Sequence, residues 1–306
     1  MTPSSTRHLA AVALLIGSGV LLSAQGVQLP SAPPKQFGAS ITPAFDGWFN
    51  NADGTHSLLV GYYNRNTSLE VDIPIGPNNH FEPGVADRGQ PTHFLPLHRF
   101  GMFVVTLPKE ATKTTTVSWS LTYNGVTTSI PLYMHTDYNL TPMKSSEESP
   151  DRTFNEPPRL RFSAEAPTFQ GPAITTAKAL DRTATVGTPM TLDLWIDDDA
   201  RYSSGGNAPM NGSRPPATLT ISKYRGPGAV KIAEPRAKVE TLKGGKPMEP
   251  FSGKASTTVT FSEVGDYLLH VTANDFSGNG GGGSGCCWTN AIVRVAVSGS
   301  NTTRGQ

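Results

Sequence analysis

Hydrophobic and polar residues alternate along much of this chain with a period of two. The sharpest instance is TTTVSWSLTYNGVTTSIPLYM (114–134), where Val117, Trp119 and Leu121 alternate with Ser118, Ser120 and Thr122. Such a segment presents one apolar and one wet face, as a half-buried strand does. Asn124-Gly125 follows, the pair that supplies positive φ in a type I′ turn, so a hairpin is predicted there. HSLLVGYYNRN (56–66), after the turn NNADGT, and GMFVVTLPK (101–109) read as further strands. No ten-residue window between Thr42 and Leu140 carries a helical period.

The same grammar continues further on. TATVGTPMTLDLWIDDDA sends a Gly-Thr-Pro turn into a strand with Leu192, Leu194 and Ile196 on one face, and PPATLTISKYRGPGAVKI offers two strands around RGPG. ASTTVTFSEVGDYLLHVTAND alternates through Val259 and Phe261, turns, and resumes with Tyr267, Leu269, Val271 and Ala273. The last strand uses Ala291, Val293, Val295 and Val297. Short strands and turns at this spacing predict β-sandwiches. Between the two runs, TPMKSSEESPDRTFNEPP (141–158) is polar and proline-bearing and reads as a linker. Residues 41–140 then form an N-terminal β domain, 159–298 a second domain, and 299–306 a tail.

Composition supports this partition. The chain has 306 residues, 31 Gly, 26 Pro and 16% charged residues, which favours turn-rich β structure and a length suited to two domains. A net charge of +1 gives no electrostatic reason to expect nucleic acid or an anionic membrane as partner. The first 26 residues depart from the rest: Arg7 and His8 precede an apolar run from Leu9 to Leu22, with small residues at Ala24 and Gly26. That is the layout of a signal peptide cut near Ala24 or Gly26, and an uncleaved anchor is the alternative. Residues 27–40 form a proline-rich lead. The expectation is export to the periplasm or outside, with association to the cell surface and no transmembrane span in the mature chain.

TTVTFSEVGDYLLHVTANDFSG…AIVRVAV resembles the end of a bacterial Ig-like module of the PKD or cadherin-like kind. In those modules a Phe-x-x-x-Gly-x-Tyr corner, here Phe261 to Tyr267, leads to a strand, then Asp-x-x-Gly, here Asp275 to Gly278, then a Val-rich final strand. The match covers residues 255–298. The first half, with FDGWFNNADGTHSLLVGYYNRN and IPIGPNNHFEPGVADRGQPTHFLP, resembles N-terminal regions of uncharacterised exported bacterial proteins. The fold expected is all-β, with two β-sandwich domains, the C-terminal one Ig-like, after an N-terminal signal peptide.

Candidate chemistry is sparse. The only two cysteines, Cys286 and Cys287, are adjacent. Neighbouring Cα atoms lie about 3.8 Å apart across a trans peptide, below the usual disulfide range, so a bond between them calls for a twisted or cis peptide. A vicinal disulfide, two packed thiols, intermolecular pairing, and metal or redox chemistry are the readings open. The preceding NDFSGNGGGGSG lacks the Lys-Ser/Thr of a phosphate-binding loop and reads as a loop. Asp197, Asp198 and Asp199 end a strand, and Asp275 lies at another loop start; hard oxygen ligands on loops suit Ca²⁺, although the spaced Asp-x-Asp-x-Asp-Gly pattern is missing. Solvated turn aspartates are the plainer reading. Calcium is the one cofactor these residues could hold, and none is required.

HFEPGVADRGQPTHFLPLH supplies His80, Glu82, His93 and His98, chemically sufficient for a transition metal but matching no zinc template. Its plainer reading is a loop whose polar groups bind backbone. No Gly-x-Ser-x-Gly elbow is present. Trp48, Tyr62 and Tyr63 could form an aromatic binding surface, although adjacent tyrosines on a strand point to opposite faces and cannot both be core. Asn66, Asn139, Asn211 and Asn301 match the glycosylation sequon. These residues predict an exported, non-enzymatic binding or scaffolding protein of the cell envelope, a candidate subunit of a larger assembly. Its partner would be a protein or glycan, not nucleic acid. The rivals are a metal-dependent enzyme or metal protein built on the His/Glu loop, and a carbohydrate-binding module.

Overall fold

The computed structural model describes residues 35–143, 154–174, 179–201, 216–246, 249–275 and 286–299. The signal peptide, most of the proline-rich lead, Asn211, Asn301 and most of the glycine loop lie outside them. Almost all regular structure is strand, as period-two alternation dictates. In the first half these are β1 (Ile41–Asn50), β2 (His56–Asn64), β3 (Val71–Asp72), β4 (Asn79–Glu82), β5 (His93–Phe94), β6 (Leu97–Leu107), β7 (Val117–Tyr123) and β8 (Val126–Leu132). A 3-10 turn at Thr136–Tyr138 follows. The strands pair as an antiparallel sheet β1-β2-β6, a second sheet β4-β7-β8 and a small β3-β5 ladder. Residues 117–132 form the predicted hairpin, with Tyr123 opposite Val126 and positive φ at Asn124 and Gly125. Leu58, Val60 and Tyr62 of β2 and Phe103, Val105 and Leu107 of β6 meet Phe81, Trp119 and Leu121 in one core.

The second half holds β9 (Arg159–Arg161), β10 (Leu180–Thr185), β11 (Met190–Asp198), β12 (Ala217–Arg225), β13 (Val230–Ile232), β14 (Glu240–Lys243), β15 (Phe251–Phe261), β16 (Gly265–Asp275) and β17 (Trp288–Ser298). Two sheets face each other: β10-β17-β16-β12, and β13-β15-β11-β9 with β14 also paired to β15. Leu192, Leu194 and Ile196 meet Tyr267, Leu269 and Val271 and Val293 and Val295 across the gap. The Tyr267 hydroxyl, donating to the Glu263 carbonyl and accepting from the Gly228 amide, locks the β15–β16 corner. The chain is thus an all-β protein of Ig-like sandwich architecture.

The described residues belong to one compact unit, 33–306, and the outer face of the β12-β16-β17 sheet shows why. Sandwich strands bury one face and leave the other to solvent, yet Tyr224 and Ile292 from that outer face join the core of the first half. Trp288 packs with Phe49, Leu59 and Val104. Its ring lies so close to Gly101, itself at φ +56°, that a Cβ there would stand 2.5 Å from the indole. Asn290 donates to the Gly101 carbonyl at 2.7 Å and the Tyr224 hydroxyl to the Gly89 carbonyl at 2.6 Å. Arg225 grips Asp87 through two 2.8 Å bonds. Aromatic burial, backbone bonds and a bidentate ion pair hold the halves as one body.

The ends of the expected linker are also tied down. Asn155 is buried and donates to Asp275, and the Pro158 carbonyl accepts from Thr289; residues 144–153 lie outside the described chain. Asn66 is fully buried and spends its amide on Ala39 and Asn64, which closes that sequon in the folded chain, whereas Asn139 is exposed.

Candidate functional site

The halves do not touch over the whole outer face of the second sandwich. Where they part they leave a cleft of about 930 Å³. One wall is Leu95, Arg99, Phe100 and Met102, from the β5–β6 segment of the first half. The floor comes from alternating outward positions: Thr218, Thr220 and Ser222 on β12, and His270, Thr272 and Asn274 on β16. Their inward neighbours Leu219, Ile221, Val271 and Ala273 are core, so sandwich burial itself aims the polar set into the cleft. The far wall is the Arg236–Lys246 segment. Ala237 and Val239 there are buried in the core, which turns the intervening Arg236 and Lys238 outward. The Pro235 carbonyl, accepting from the Ile221 amide at 2.8 Å, anchors its start. Gly244 and Gly245, both at positive φ, let its end pass against Pro250 and Phe251.

Arg99, Arg236, Lys238 and Lys246 line this cleft and, among the described residues, no carboxylate does. None of the four forms an ion pair among the described residues, whereas Arg161, Lys223, Arg225 and Arg294 each hold an aspartate. His270 is buried and stacked on Tyr224 at 5.8 Å, with Thr272 Oγ1 3.3 Å from its Nδ1 and a hydrogen bond to the Met102 backbone. Burial and the nearby Arg99 push its pKa down to about 4 against the opposing pull of the Met102 backbone, so the imidazole is neutral at neutral pH. Asn274 Oδ1 is buried without a partner among the described residues. The arrangement offers positive charge at the rim and neutral donors and acceptors on the floor, which suits binding.

Sequence reasoning missed this cleft. Its one local trace is the Arg-Ala-Lys-Val alternation at 236–239, which sets cations opposite core residues.

The sequence-predicted sites fare differently. Cys286 and Cys287 are joined by a disulfide with Cα atoms 3.1 Å apart and are buried at the entry to β17. Both sulfurs lie against the Asn155 carbonyl, at 3.7 and 3.3 Å; once bonded they carry no proton, so these are packing contacts. Asn155 in turn holds Asp275, and the charge of Asp275 acts on Asp198. The structure therefore brings Asp198 and Asp275 to one end of the second sandwich, beside the disulfide.

The other two acids of that run turn elsewhere. Asp197 is taken by Arg161 at 2.5 Å and Ser252 at 2.7 Å, and Asp199 accepts from the Glu156 and Arg201 amides. Asp198 accepts from the Ala200 amide through one oxygen, and its other oxygen is buried without a partner among the described residues. Burial first, then the charge of Asp275, pushes its pKa up to about 8. It is a neutral acid at neutral pH.

The His80, Glu82, His93 and His98 set is not gathered. Among the described residues no group of three or more His, Cys, Asp or Glu side chains is placed to hold a metal ion. His93 is clamped between Asp72 at 3.0 Å and Glu70 at 3.1 Å. Burial lowers its pKa, but the bonds to the two carboxylates outweigh this and the net shift is upward. A ring with both nitrogens committed has no lone pair to offer. Asp72 also holds Lys223, which carries this network across to the second sandwich. His98 is half-exposed beside Asp46, and Glu82 is exposed on β4.

The aromatic surface needs correction. Tyr62 is fully buried, its hydroxyl accepting from the Leu95 amide and its pKa raised by burial. Tyr63 points to the opposite side, as strand alternation requires, with Arg65 over its ring and His98 beside it. Trp48 is part-buried and donates to the His135 carbonyl. The three do not form one face.

No protein-family model and no curated protein matches the chain. Among solved structures it is similar to domains 4 and 5 of the S-layer protein SbsC, at 10% identity over 60% of this chain and 65% of that one, TM-score 0.22. Similar also are a titin A168–A169 fragment, at 10% identity over 84% and 98%, TM-score 0.22, and cadherin-like domains 1 to 4 of zebrafish RET, at 12% identity over 60% and 33%, TM-score 0.23. Scores this low carry no argument about function. Among the described residues no helix is long and apolar enough to cross a membrane.

Proposed function

We propose that this chain is an exported, non-catalytic binding protein of the cell surface, whose two β-sandwiches are held as one body in order to present the cleft between them. The observation that supports this is the construction of the cleft: its walls come from both halves, while Trp288, Asn290, Tyr224 and Arg225 fix those halves beside it. A site assembled on a rigid frame loses little ordering entropy when its ligand arrives. Large clefts between domains are common ligand sites. The polar floor supplies hydrogen bonds, and His270, held neutral, has among the described residues no carboxylate or serine partner that would make it a general base. The partner is a protein or glycan of the envelope, and the protein serves there as a ligand-holding or scaffolding subunit.

The test is crosslinking in intact cells of the source, carried out in parallel with a variant whose cleft is plugged by Thr220→Trp. A specific surface component captured by the native chain and lost in the plugged variant supports the reading. Equal capture by both places the interaction elsewhere and defeats it.

A further inference from the structure

The cleft carries more information than its size. We propose that its ligand is an acidic saccharide, a sugar chain bearing carboxylate or sulfate groups; this rests on the cleft being the binding site.

The charge argument comes first. The whole chain is nearly neutral at +1, so four cations on one cleft are not a by-product of a basic protein. Arg99, Arg236, Lys238 and Lys246 line it without a carboxylate and without an ion pair among the described residues. Gathering like charges around a concavity costs free energy through mutual repulsion. Arg161, Arg225 and Arg294, outside the cleft, each pair with an aspartate. Unneutralised cations facing one another across a cleft are matched by an anionic occupant, and the guanidinium groups of Arg99 and Arg236 suit planar or tetrahedral oxyanions.

The floor narrows the class. A bare inorganic anion needs a small cradle of donors, whereas this cleft approaches the upper end of small-molecule sites, which run to roughly 1,000 Å³. Between the cations lie the hydroxyls of Thr220, Ser222 and Thr272 and the Asn274 carbonyl oxygen. The Asn274 oxygen is buried without a partner among the described residues. These are short, neutral groups able to donate or accept, and a ligand with many hydroxyls satisfies them. Phe100 supplies an apolar ring at the wall, against which a sugar face can lie. A polyhydroxylated chain with spaced negative charges matches cations at the rim and hydroxyl-bonding groups below.

The experiment is calorimetric titration of the mature chain with four probes: a sulfated heparin-derived tetrasaccharide, an oligogalacturonate, the desulfated neutral counterpart of the first, and inorganic sulfate. The native chain is compared with Arg236→Ala/Lys238→Ala, whose positions are exposed so that thermal unfolding should be unchanged, and with the charge-neutral plug Thr220→Trp. The expected result is saturable binding of at least one acidic saccharide, weakened several-fold between 0.15 and 0.5 M salt in the manner of screened charges. The double variant should weaken it at least tenfold and the plug should abolish it. Preference between the sulfated and carboxylated probes identifies the anionic group.

Tight binding of the neutral saccharide, abolished by the plug but indifferent to the double variant, overturns the acidic class and leaves the cleft reading standing. Acidic binding indifferent to the plug overturns both. Binding of inorganic sulfate as tight as that of the saccharides, or no binding by any probe, overturns the saccharide proposal.

Discussion

Asp198 gives the most direct measurement of how burial sets the chemistry of this fold. One carboxylate oxygen accepts from the Ala200 amide; the other is buried without a partner among the described residues, with Asp275 and Asp199 adding negative potential. Its pKa is pushed from 3.8 to about 8. Between these values the folded state holds a proton that the unfolded chain has released, so stability declines as pH rises. At about 1.36 kcal/mol per unit, the full span is about 6 kcal/mol, of which about 3.5 kcal/mol falls between pH 5 and pH 8. Asp198→Asn mimics the neutral acid and removes the titration. The difference between native and variant melting temperatures should therefore grow across this interval by on the order of 10 °C, for a chain of this size. Taking the difference cancels His270, which titrates in both proteins, and any constant offset from the substitution. Thermal unfolding followed by circular dichroism at half-unit pH steps provides the assay. Parallel curves for the two proteins from pH 5 to pH 8 would refute the claim that Asp198 is held as an acid.

His270 acts with the opposite sign. With its pKa held at about 4 in the fold against 6.5 outside, stability is full above pH 6.5 and falls by about 3 kcal/mol on acidification through pH 4, a loss that His270→Gln should flatten in the same melts. Gly101→Ala would drive a methyl into Trp288 at a positive-φ site; destabilisation of about 2–4 kcal/mol in urea is expected, with Gly125→Ala, whose Cβ meets nothing, losing only the backbone part. Arg225→Ala removes the paired grip on Asp87 and should cost about 1–3 kcal/mol, with Lys223→Ala an independent loss at Asp72 measurable by the double variant. Reducing Cys286–Cys287 opens almost no loop of the unfolded chain, so equilibrium stability in urea should move by under about 1 kcal/mol; a loss of several would show that the pair fixes the Asn155–Asp275 contact.

The strands were legible because each has one face in a core. The run Leu192, Leu194, Ile196 and the run Tyr267, Leu269, Val271 announce themselves by alternation and land opposite each other in the second sandwich. The Asn124-Gly125 turn was legible because its backbone requirement is local. Alternation is silent about the other face. From sequence, most residues between the core positions of β12, β16 and β17 are polar, and the period-two argument assigns them to solvent; Leu268 and Ile292 are apolar exceptions, and both pack against the first half. The fold divides that single class into two. Asn290 and Ile292 are covered by the first half, with Trp288 at the head of the same strand, while Thr220, Ser222, His270 and Thr272 line the cleft beside that contact. Which residues fall into which group depends on where the first sandwich docks, a contact between segments some 100 to 200 residues apart, and no local pattern encodes it. The His80, Glu82, His93 and His98 set is close along the chain but not gathered in space: His93 sits between Glu70 and Asp72 and His98 beside Asp46, while His80 and Glu82 lie on β4. Arg236 and Lys238 were readable in principle, since each is flanked by a core residue. Their meaning was not, because a cation beside a core position is ordinary until the opposite wall, Arg99, is in place.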